Sequence, residues 1–225
     1  MASEWAAHFE RERGRYEDGI TRLSGLDDPD DRQRQLTRIA NALYGAGLAL
    51  LMDGREAEAA ERFVQAAERY RESYADAPPG SWGRPIGAVK ARLMADDRDG
   101  AAADARWALD EAAAESESPI GRYAGCLALL VLGQDDAAAR LAASLRSRDD
   151  FPGPVADALH AIAQGDRPGY ELGVGAVLAS FEEREEHLED VPIADTVVVL
   201  QSLARRRGLA SDLLSRVVPR SSLGR

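Results

Sequence analysis

The feature that most limits the fold of this chain is a pattern that occurs three times: an apolar helical stretch, a glycine, and the start of another helix. It occurs at residues 48–54, 127–133 and 159–165. A glycine at this point is typical of a helix C-cap, where the backbone takes a positive φ. With a further turn near residue 98, successive turns lie 32 to 44 residues apart, a spacing typical of repeated helix pairs. The pattern therefore predicts an all-α fold in which antiparallel helix pairs stack as a tetratricopeptide-like solenoid.

The same punctuation divides the whole chain into about ten to eleven predicted helices. Prolines, glycines and Asp-rich turns interrupt the helical periodicity, because proline lacks the backbone donor and glycine favours turns. The predicted helices cover residues 3–24, 32–52, 56–74, 84–95, 101–114, 119–132, 135–147, 154–164, 168–188, about 190–207, and 209–217. We expect residues 1–218 to form a single α-helical repeat domain and residues 219–225 to form a flexible polar tail.

The composition agrees with closely packed helices. Hydrophobic residues make up 45% of the chain and aromatic residues only 6%, and alanine, the best helix former, is abundant. Gly45 and Gly47 lie inside the second predicted helix, where each costs about 1 kcal/mol relative to alanine. We expect a close approach of another helix to compensate for that cost.

The chain is acidic, with a formal net charge of -11 and a pI of about 4.8. Such a charge repels nucleic acids and anionic lipids and attracts basic partners. Lys90 is the only lysine, and every other basic residue is arginine. A GC-rich genome or a salt-adapted host would produce the same composition, so the charge by itself identifies no partner.

The sequence predicts a cytoplasmic protein without a membrane span. Cys126 is the only cysteine, which leaves no intrachain disulfide, and the N-terminus does not resemble a signal peptide. The longest apolar run, near residues 127–132, is far shorter than the ~20 residues that cross a bilayer.

The common catalytic motifs are missing from the sequence. No glycine-rich loop ends in Gly-Lys, and the close glycine spacings do not complete a dinucleotide-binding fingerprint. No serine has the flanking glycines of a nucleophile elbow, and a single cysteine excludes a zinc cluster of several thiolates. We therefore expect no enzymatic activity, no cofactor and no resident metal.

The densest polar segment of the chain is the candidate binding site. Its candidate residues are Glu182, Glu183, Glu186, His187 and Asp190. On a helix, Glu183 and His187 would be neighbours on one face, since they are four residues apart. Three interpretations stay open: an acidic face for a basic partner, a metal site built on His187 and neighbouring carboxylates, and an ordinary solvated helix end.

Two other features have competing explanations. Trp82 lies in a loop rich in glycine and proline, where a tryptophan either anchors a partner or fills the gap between adjacent helix pairs. The run of three arginines at 205–207 suggests nucleic-acid binding, but basic residues are also favoured at a helix C-terminus by the helix dipole. No interleaved aromatic residues support base stacking, so we expect no nucleic-acid partner.

Several stretches of the second half resemble a known family. They are Ser-Pro-Ile-Gly-Arg-Tyr at 118–123 with the apolar run to 133, the polar segment 181–187, Asp-Val-Pro at 190–192, the segment 203–209, and Val-Pro at 218–219. Over about residues 118–219 the chain is similar to the immunity protein 49 family of bacterial polymorphic toxin systems. The resemblance implies an all-α protein that neutralises a toxin made by the same or a sister cell. It implies a class and no particular site, because the family motifs contain no catalytic signature.

Together these observations predict a non-enzymatic scaffold that binds another protein, as an immunity protein that occludes a basic toxin stoichiometrically. The expected interface is the acidic segment near Glu183, with Trp82 as a second contact. One alternative is a tetratricopeptide-like adaptor that binds a peptide segment. Others are a metal-dependent enzyme that uses His187 and a structural subunit of a larger complex.

Overall fold

The computed structural model describes residues 3–184 and 191–220, and every regular element in these ranges is helical. The all-α prediction is therefore confirmed. A short 3-10 turn at Ala113–Glu115 lies between the fifth and sixth helices. The ten α-helices of the described ranges are α1 (Glu4–Leu23), α2 (Pro29–Met52), α3 (Glu56–Tyr74), α4 (Gly83–Met94), α5 (Arg98–Asp110), α6 (Pro119–Val131), α7 (Asp135–Arg146), α8 (Gly153–Gln164), α9 (Arg167–Glu182) and α10 (Asp195–Arg205).

The helices pack in the order of the chain. Each helix from α1 to α9 contacts the next one, and α4 also contacts α6. This arrangement is consistent with a solenoid-like stack of helix pairs. The last helix departs from the order, because α10 packs against α4 and α8 as well as against α9.

The three glycine turns have the conformation that the sequence predicts. Gly54, Gly133 and Gly165 have φ values of 76°, 70° and 67°. In each turn the residue after the glycine donates its N–H to the carbonyl five residues earlier, at 2.9 Å. This bond is the Schellman C-cap, which satisfies a carbonyl left over at the helix end. Glycine occupies these turns because it takes a positive φ without steric cost.

The two glycines inside α2 are contact points, as predicted. A Cβ atom on Gly45 would lie 3.1 Å from Cγ of Glu12 on α1. A Cβ atom on Gly47 would lie 2.8 Å from Cε1 of Phe63 on α3. Because α2 is approached on both sides at these positions, no larger side chain fits there without movement of a neighbour.

The predicted last helix at 209–217 is wrong, since these residues form no helix. The side chain of Gln201 accepts a hydrogen bond from the Ser211 N–H (3.1 Å) and donates one to the Ser211 carbonyl. Arg167 donates a hydrogen bond to the Gly208 carbonyl. The carbonyls of Gly208 and Ser211 would accept backbone bonds in a helix, and here they accept bonds from these side chains instead. We call residues 209–218 the C-terminal strap.

Several helix boundaries also differ from the predicted ones. The second helix begins at Pro29 instead of residue 32, because the Asp28 side chain accepts from the Asp31 N–H (2.9 Å) as an N-cap. The fifth helix runs over Arg98–Asp110 instead of 101–114. The ninth helix ends at Glu182, six residues before the predicted end, and the tenth begins at Asp195 instead of near residue 190.

The apolar core has one large cluster in each half of the chain, and the segment before α10 belongs to the N-terminal one. Val191 and Ile193 are 1% and 3% exposed and belong to the same cluster as Phe63 and Tyr70 of α3. The buried residues of α10 itself, among them Leu200, pack in the C-terminal cluster. The residues around α10 therefore contact both halves of the core.

No helix within residues 3–184 and 191–220 has both the length and the apolar character that a membrane crossing demands.

Candidate functional site

The described part of the predicted acidic site is the end of α9. Glu182 is the last residue of the helix, and its carboxylate accepts a hydrogen bond from the Ser215 hydroxyl at 2.6 Å. Glu183 is the C-cap, and both carboxylates are exposed. The guanidinium of Arg184 lies 4.0 Å from the ring centroid of Phe181. The structure therefore brings Glu182 and Glu183 together on the surface, with one arginine beside them.

The position of these carboxylates is unfavourable for the helix. The C-terminal end of a helix carries a partial negative charge, which favours cations and disfavours Asp or Glu. The last turn of α9 contains no basic residue, while Glu182 ends the helix and Glu183 caps it. Helix stability therefore does not explain the acidic residues at this end.

The other three predicted site residues, Glu186, His187 and Asp190, lie outside the described residues. The expected pairing of Glu183 with His187 on one helical face was based on a helix that reached residue 188. The helix α9 itself ends at Glu182, and the pairing of Glu183 with His187 lies outside the described residues. The acidic segment remains a candidate site on its sequence and on the placement of Glu182 and Glu183.

Trp82 lies in a different region, at the start of α4. It is half-buried and packs against a cluster of small apolar residues that includes Ala105 of α5 and Ala124 of α6. A Cβ atom on Gly121 would lie 2.8 Å from Nε1 of Trp82. The ring thus fills the space between the α4–α5 pair and α6, as the packing interpretation expects. Trp82 packs against this small cluster, whereas Phe181 near the end of α9 belongs to the large C-terminal cluster.

One surface of the helical stack, formed by α4 and α8, is covered by α10 of the same chain. Side chains of α10 such as Val197, Leu200 and Leu203 are completely buried. Beyond the end of α10, Arg207 donates to the carbonyl of Leu130 on α6 at 2.7 Å. We call this surface of α4, α6 and α8 the even-helix face. The helix α10 covers the α4 and α8 part of this face, and Arg207 contacts its α6 part, so the face is not an open groove.

A buried charge network holds α10 to this face. The carboxylate of Asp195 accepts a hydrogen bond from the Tyr44 hydroxyl of α2 at 3.0 Å and pairs with the ammonium of Lys90 on α4. The hydroxyl of Thr196 also donates to Asp195, at 3.2 Å. Both charged side chains are nearly buried, at 11% exposure for Lys90 and 10% for Asp195.

The network shifts the ionisation of its members. Burial by itself would raise the pKa of Asp195, but the charge of Lys90 and hydrogen bonds from Lys90, Tyr44 and Thr196 hold that pKa below its usual value. Burial, together with the charge of Asp195, raises the pKa of the Tyr44 phenol well above its usual value. Asp195 is therefore a carboxylate and Tyr44 a neutral donor at neutral pH.

Sequence reasoning missed this network. The only available signals were that Lys90 is the single lysine and that Asp195 precedes the apolar run at 196–200. Neither signal links the two residues, which lie 105 positions apart. The network ties three helices together, so its evident role is structural.

The arginine run at 205–207 is also used within the fold. Arg207 bonds to the carbonyls of Leu203 and Leu130 and pairs with Asp135 at the start of α7. This arginine thus neutralises a helix end and an acid of the same chain, in agreement with the helix-dipole interpretation.

The described side chains contain no grouping that suits metal binding or thiol chemistry. Within residues 3–184 and 191–220, no three His, Cys, Asp or Glu side chains are close enough together to hold a metal ion. Burial raises the pKa of the Cys126 thiol to about 12, so the reactive thiolate is not populated at neutral pH.

No family model, no curated protein and no solved structure matches this chain.

Proposed function

We propose that this chain is a cytoplasmic, non-enzymatic α-helical scaffold that binds another protein and acts as an immunity protein against a basic toxin. Inhibition is stoichiometric: the scaffold covers the surface that the toxin needs. The acidic segment that begins at Glu182 and Glu183 is the proposed binding site, and Glu186, His187 and Asp190 extend it along the sequence.

The observation that carries this proposal is the pair of exposed carboxylates at the end of α9. The helix dipole disfavours acidic residues there, and only one arginine, Arg184, lies in the described part of this segment. The net charge of the whole chain, -11, is negative like these two carboxylates. A basic partner is therefore attracted over a long range and is oriented toward the C-terminal end of α9.

The resemblance of residues 118–219 to the immunity protein 49 family supports the same class of function. Proteins of that class need a stable surface and no chemistry of their own. Most of this region is a stack of buried helices, and α10 and the C-terminal strap complete it. Such a rigid scaffold suits tight binding, since little ordering entropy is lost on association.

The even-helix face makes the peptide-adaptor alternative less favourable. Here α10 fills the even-helix face with completely buried side chains such as Leu200 and Leu203. A peptide would have to displace this helix before it could bind there.

The proposal predicts a charge-dependent association with one basic protein. A tagged chain incubated with native cytosol at low and high salt should retain one basic, stoichiometric partner at low salt. Reversal of two charges, Glu183→Arg with Glu186→Arg, should then slow association with that partner about 10-fold at low salt, because electrostatic steering sets the on-rate. Stopped-flow or surface-based kinetics measure this rate.

The control is Glu61→Arg with Glu68→Arg, which makes the same change in net charge on the exposed face of α3. An equal loss of rate in both variants would remove the acidic segment from the proposal. A chain that gives no protection to cells producing the captured partner would refute the immunity function.

A further inference from the structure

A cleft of about 780 Å³ lies where α1, α2 and the C-terminal strap come together. Residues at the start of α1 and at the end of α2 line it, together with residues 214–216 and 218–220. Its volume is in the range of sites that take a ligand or a few side chains of a partner. We call it the strap cleft.

Much of the lining of the strap cleft is apolar. Trp5 of α1 and Leu51 and Met52 of α2 line it and are partly buried. Val218 of the strap is buried beside them, whereas Leu214 is 86% exposed. A partner that covers Leu214 and enters the cleft would remove this apolar surface from water, which favours association.

The strap cleft is continuous with the proposed acidic site. Ser215 lines the cleft, and its hydroxyl donates a hydrogen bond to Glu182 at 2.6 Å. Leu214 precedes Ser215 in the sequence, so the exposed leucine is next to the residue that contacts the end of α9. A partner that binds Glu182 and Glu183 would therefore meet the cleft as well.

Two helix ends with acidic C-caps belong to this region. Asp53 is the C-cap of α2 and lines the cleft, as Glu183 is the C-cap of α9. Neither helix has a basic residue in its last turn, so the partial negative charge of each helix end adds to that of its carboxylate. Asp53 also accepts a hydrogen bond from the Ser3 hydroxyl at 2.6 Å.

The charges around the strap cleft favour a basic segment as its occupant. Glu4 and Asp53 line the cleft, and two further carboxylates stand at the end of α9. Against these four acids there are three arginines: Arg216 and Arg220 in the lining, and Arg184 after α9. The balance is negative, and the two helix ends increase it, so a cationic segment is complementary to this region.

The carboxylates and the apolar lining serve different parts of the binding reaction. Exposed charges mainly raise the association rate, and each exposed ion pair adds little to stability. Slow dissociation depends instead on apolar anchors that are desolvated in a pocket and surrounded by a polar rim. Stoichiometric inhibition needs slow dissociation, so the acidic end of α9 requires an apolar contact beside it.

We propose that the strap cleft is the anchor site for the toxin, and that it takes apolar side chains of a segment with basic residues on both sides. The inference rests on the proposed function, because it names the apolar contact of the same binding site. The apolar side chains cover Leu214 and Trp5, and the basic residues pair with the acids of the cleft and of the α9 end.

A synthetic peptide tests the cleft without the toxin. The probe has two lysines on each side of a Leu-Trp-Leu core and is titrated into the full chain, followed by nitrogen-15 NMR. We expect saturable shifts of the Leu214 and Ser215 amides and of the Trp5 indole N–H. The indole signals of Trp82 and Trp107 should not move, since neither residue lines the cleft.

Two altered peptides separate the apolar contribution from the charge. A peptide with three alanines as its core keeps the four lysines and should bind about 10-fold more weakly. A peptide with glutamates in place of the lysines keeps the apolar core and should also bind about 10-fold more weakly at low salt. Equal binding of all three peptides would overturn the proposal.

The substitution Leu214→Ser tests the position of the site. It should weaken binding of the lysine peptide about 5-fold, because the leucine no longer covers the apolar core. Leu172→Ser is the matched control: Leu172 is 77% exposed on α9 but does not line this cleft, so the Kd should not change. Equal weakening by both substitutions, or no saturable shift of the wild type at millimolar peptide, would overturn the proposal.

Other occupants give different results in the same experiment. A second copy of the chain would shift the Leu214 and Ser215 signals with protein concentration alone. If residues 221–225 were the occupant, a chain that ends at Arg220 would bind the peptide about 10-fold more tightly than the full chain. Either result would overturn the proposal.

The failure of this inference and that of the proposed function are distinguishable. Protection of cells by a chain that does not bind the peptide would keep the immunity function and remove the cleft from it. Peptide binding by a chain that protects no cells would refute the immunity function and leave the cleft as a site for basic segments with an apolar core.

Discussion

At the scale of single residues, the available space decides which side chains the helices carry. Gly47 lies where the ring of Phe63 touches the backbone of α2, whereas a Cβ atom on Gly14 of α1 would meet nothing within 4 Å. Both residues are helical glycines, so both lower the intrinsic stability of their helix. Only the contact with a neighbouring helix distinguishes them.

This difference predicts opposite effects of the same substitution. Gly47→Ala should destabilise the fold by about 1–3 kcal/mol, because the added methyl overlaps the Phe63 ring. Gly14→Ala should stabilise it by about 0.5–1 kcal/mol, since alanine is the better helix former. Urea unfolding of the two variants measures both changes, and equal effects would contradict the close approach of α2 and α3.

Individual carboxylates also differ in their surroundings. Glu12 and Asp104 are buried, at 0% and 2% exposure. Arg11 pairs with Glu12 at 2.9 Å, and Arg71 pairs with Asp104 at 2.7 Å. These acids contribute to the net charge of the chain but are unavailable to a partner. The acidic surface is therefore smaller than the composition suggests, and the exposed end of α9 is a larger part of it.

At the scale of elements, the C-terminal strap shows how side chains replace a helix. Its Val217 carbonyl accepts a hydrogen bond from the Ala194 N–H at 2.8 Å, just before α10. Gln201 of α10 binds both backbone groups of Ser211 and accepts from the Tyr170 hydroxyl at 2.7 Å. One buried amide thus fixes the strap to α9 and α10.

We expect Gln201→Met to release the strap. The substitution keeps the side-chain volume but leaves the Ser211 backbone groups and the Tyr170 hydroxyl without their partner, which should cost about 2–4 kcal/mol. Limited proteolysis should then cut within residues 209–216 faster than in the wild type. Tyr170→Phe removes a single hydrogen bond of the same network and should have the smaller effect, about 1 kcal/mol. Unchanged proteolysis in Gln201→Met would show that apolar contacts alone hold the strap.

At the scale of the whole molecule, α10 connects parts of the chain that are far apart in sequence. The Asp195 carboxylate reaches Tyr44 across 151 positions and Lys90 across 105. A sequential stack of helices is stabilised mainly by contacts between neighbours, so its ends can unfold separately. The Asp195 network opposes this separation, because α2, α4 and α10 must all be in place for it to form.

Asp195→Asn should therefore lower the free energy of unfolding by about 3–5 kcal/mol at pH 7, since Lys90 loses its buried counter-charge. Addition of Lys90→Met to that variant should restore part of the loss, as expected for a coupled pair. Thermal unfolding followed by circular dichroism measures both effects. If the changes in unfolding free energy caused by the two substitutions simply add in the double variant, the two side chains act independently.

The pH dependence of the same variants gives a second measure. The pKa of Asp195 is lower in the folded state than its usual value, so the stabilisation is fully present above about pH 4. It is lost as the pH falls through the folded-state pKa. The difference in stability between the wild type and Asp195→Asn should therefore shrink in acid.

The sequence by itself determined the local structure of this protein. Helical periodicity and glycine C-caps act over a few residues, and they predicted the turns at Gly54, Gly133 and Gly165 and the order of the helices. The close contacts of Gly47 were also predicted, because a glycine lowers the stability of a helix and a close approach of another helix compensates for that cost. In the candidate site, the sequence identified Glu182 and Glu183 as a charged cluster, but it extended their helix to residue 188.

Only the tertiary structure decided how distant segments meet. Three features depend on the geometry of the complete stack, which no local pattern encodes. They are the C-terminal strap, the Asp195–Lys90 pair and the packing of α10 on the even-helix face. The helix pattern at 209–217 did not produce a helix, and Gln201 and Arg167, which are remote in sequence, bind backbone groups of this region instead. Local propensity is worth a few tenths of a kcal/mol per residue, whereas each unsatisfied buried polar group costs about 1–3 kcal/mol, so the tertiary contacts prevail.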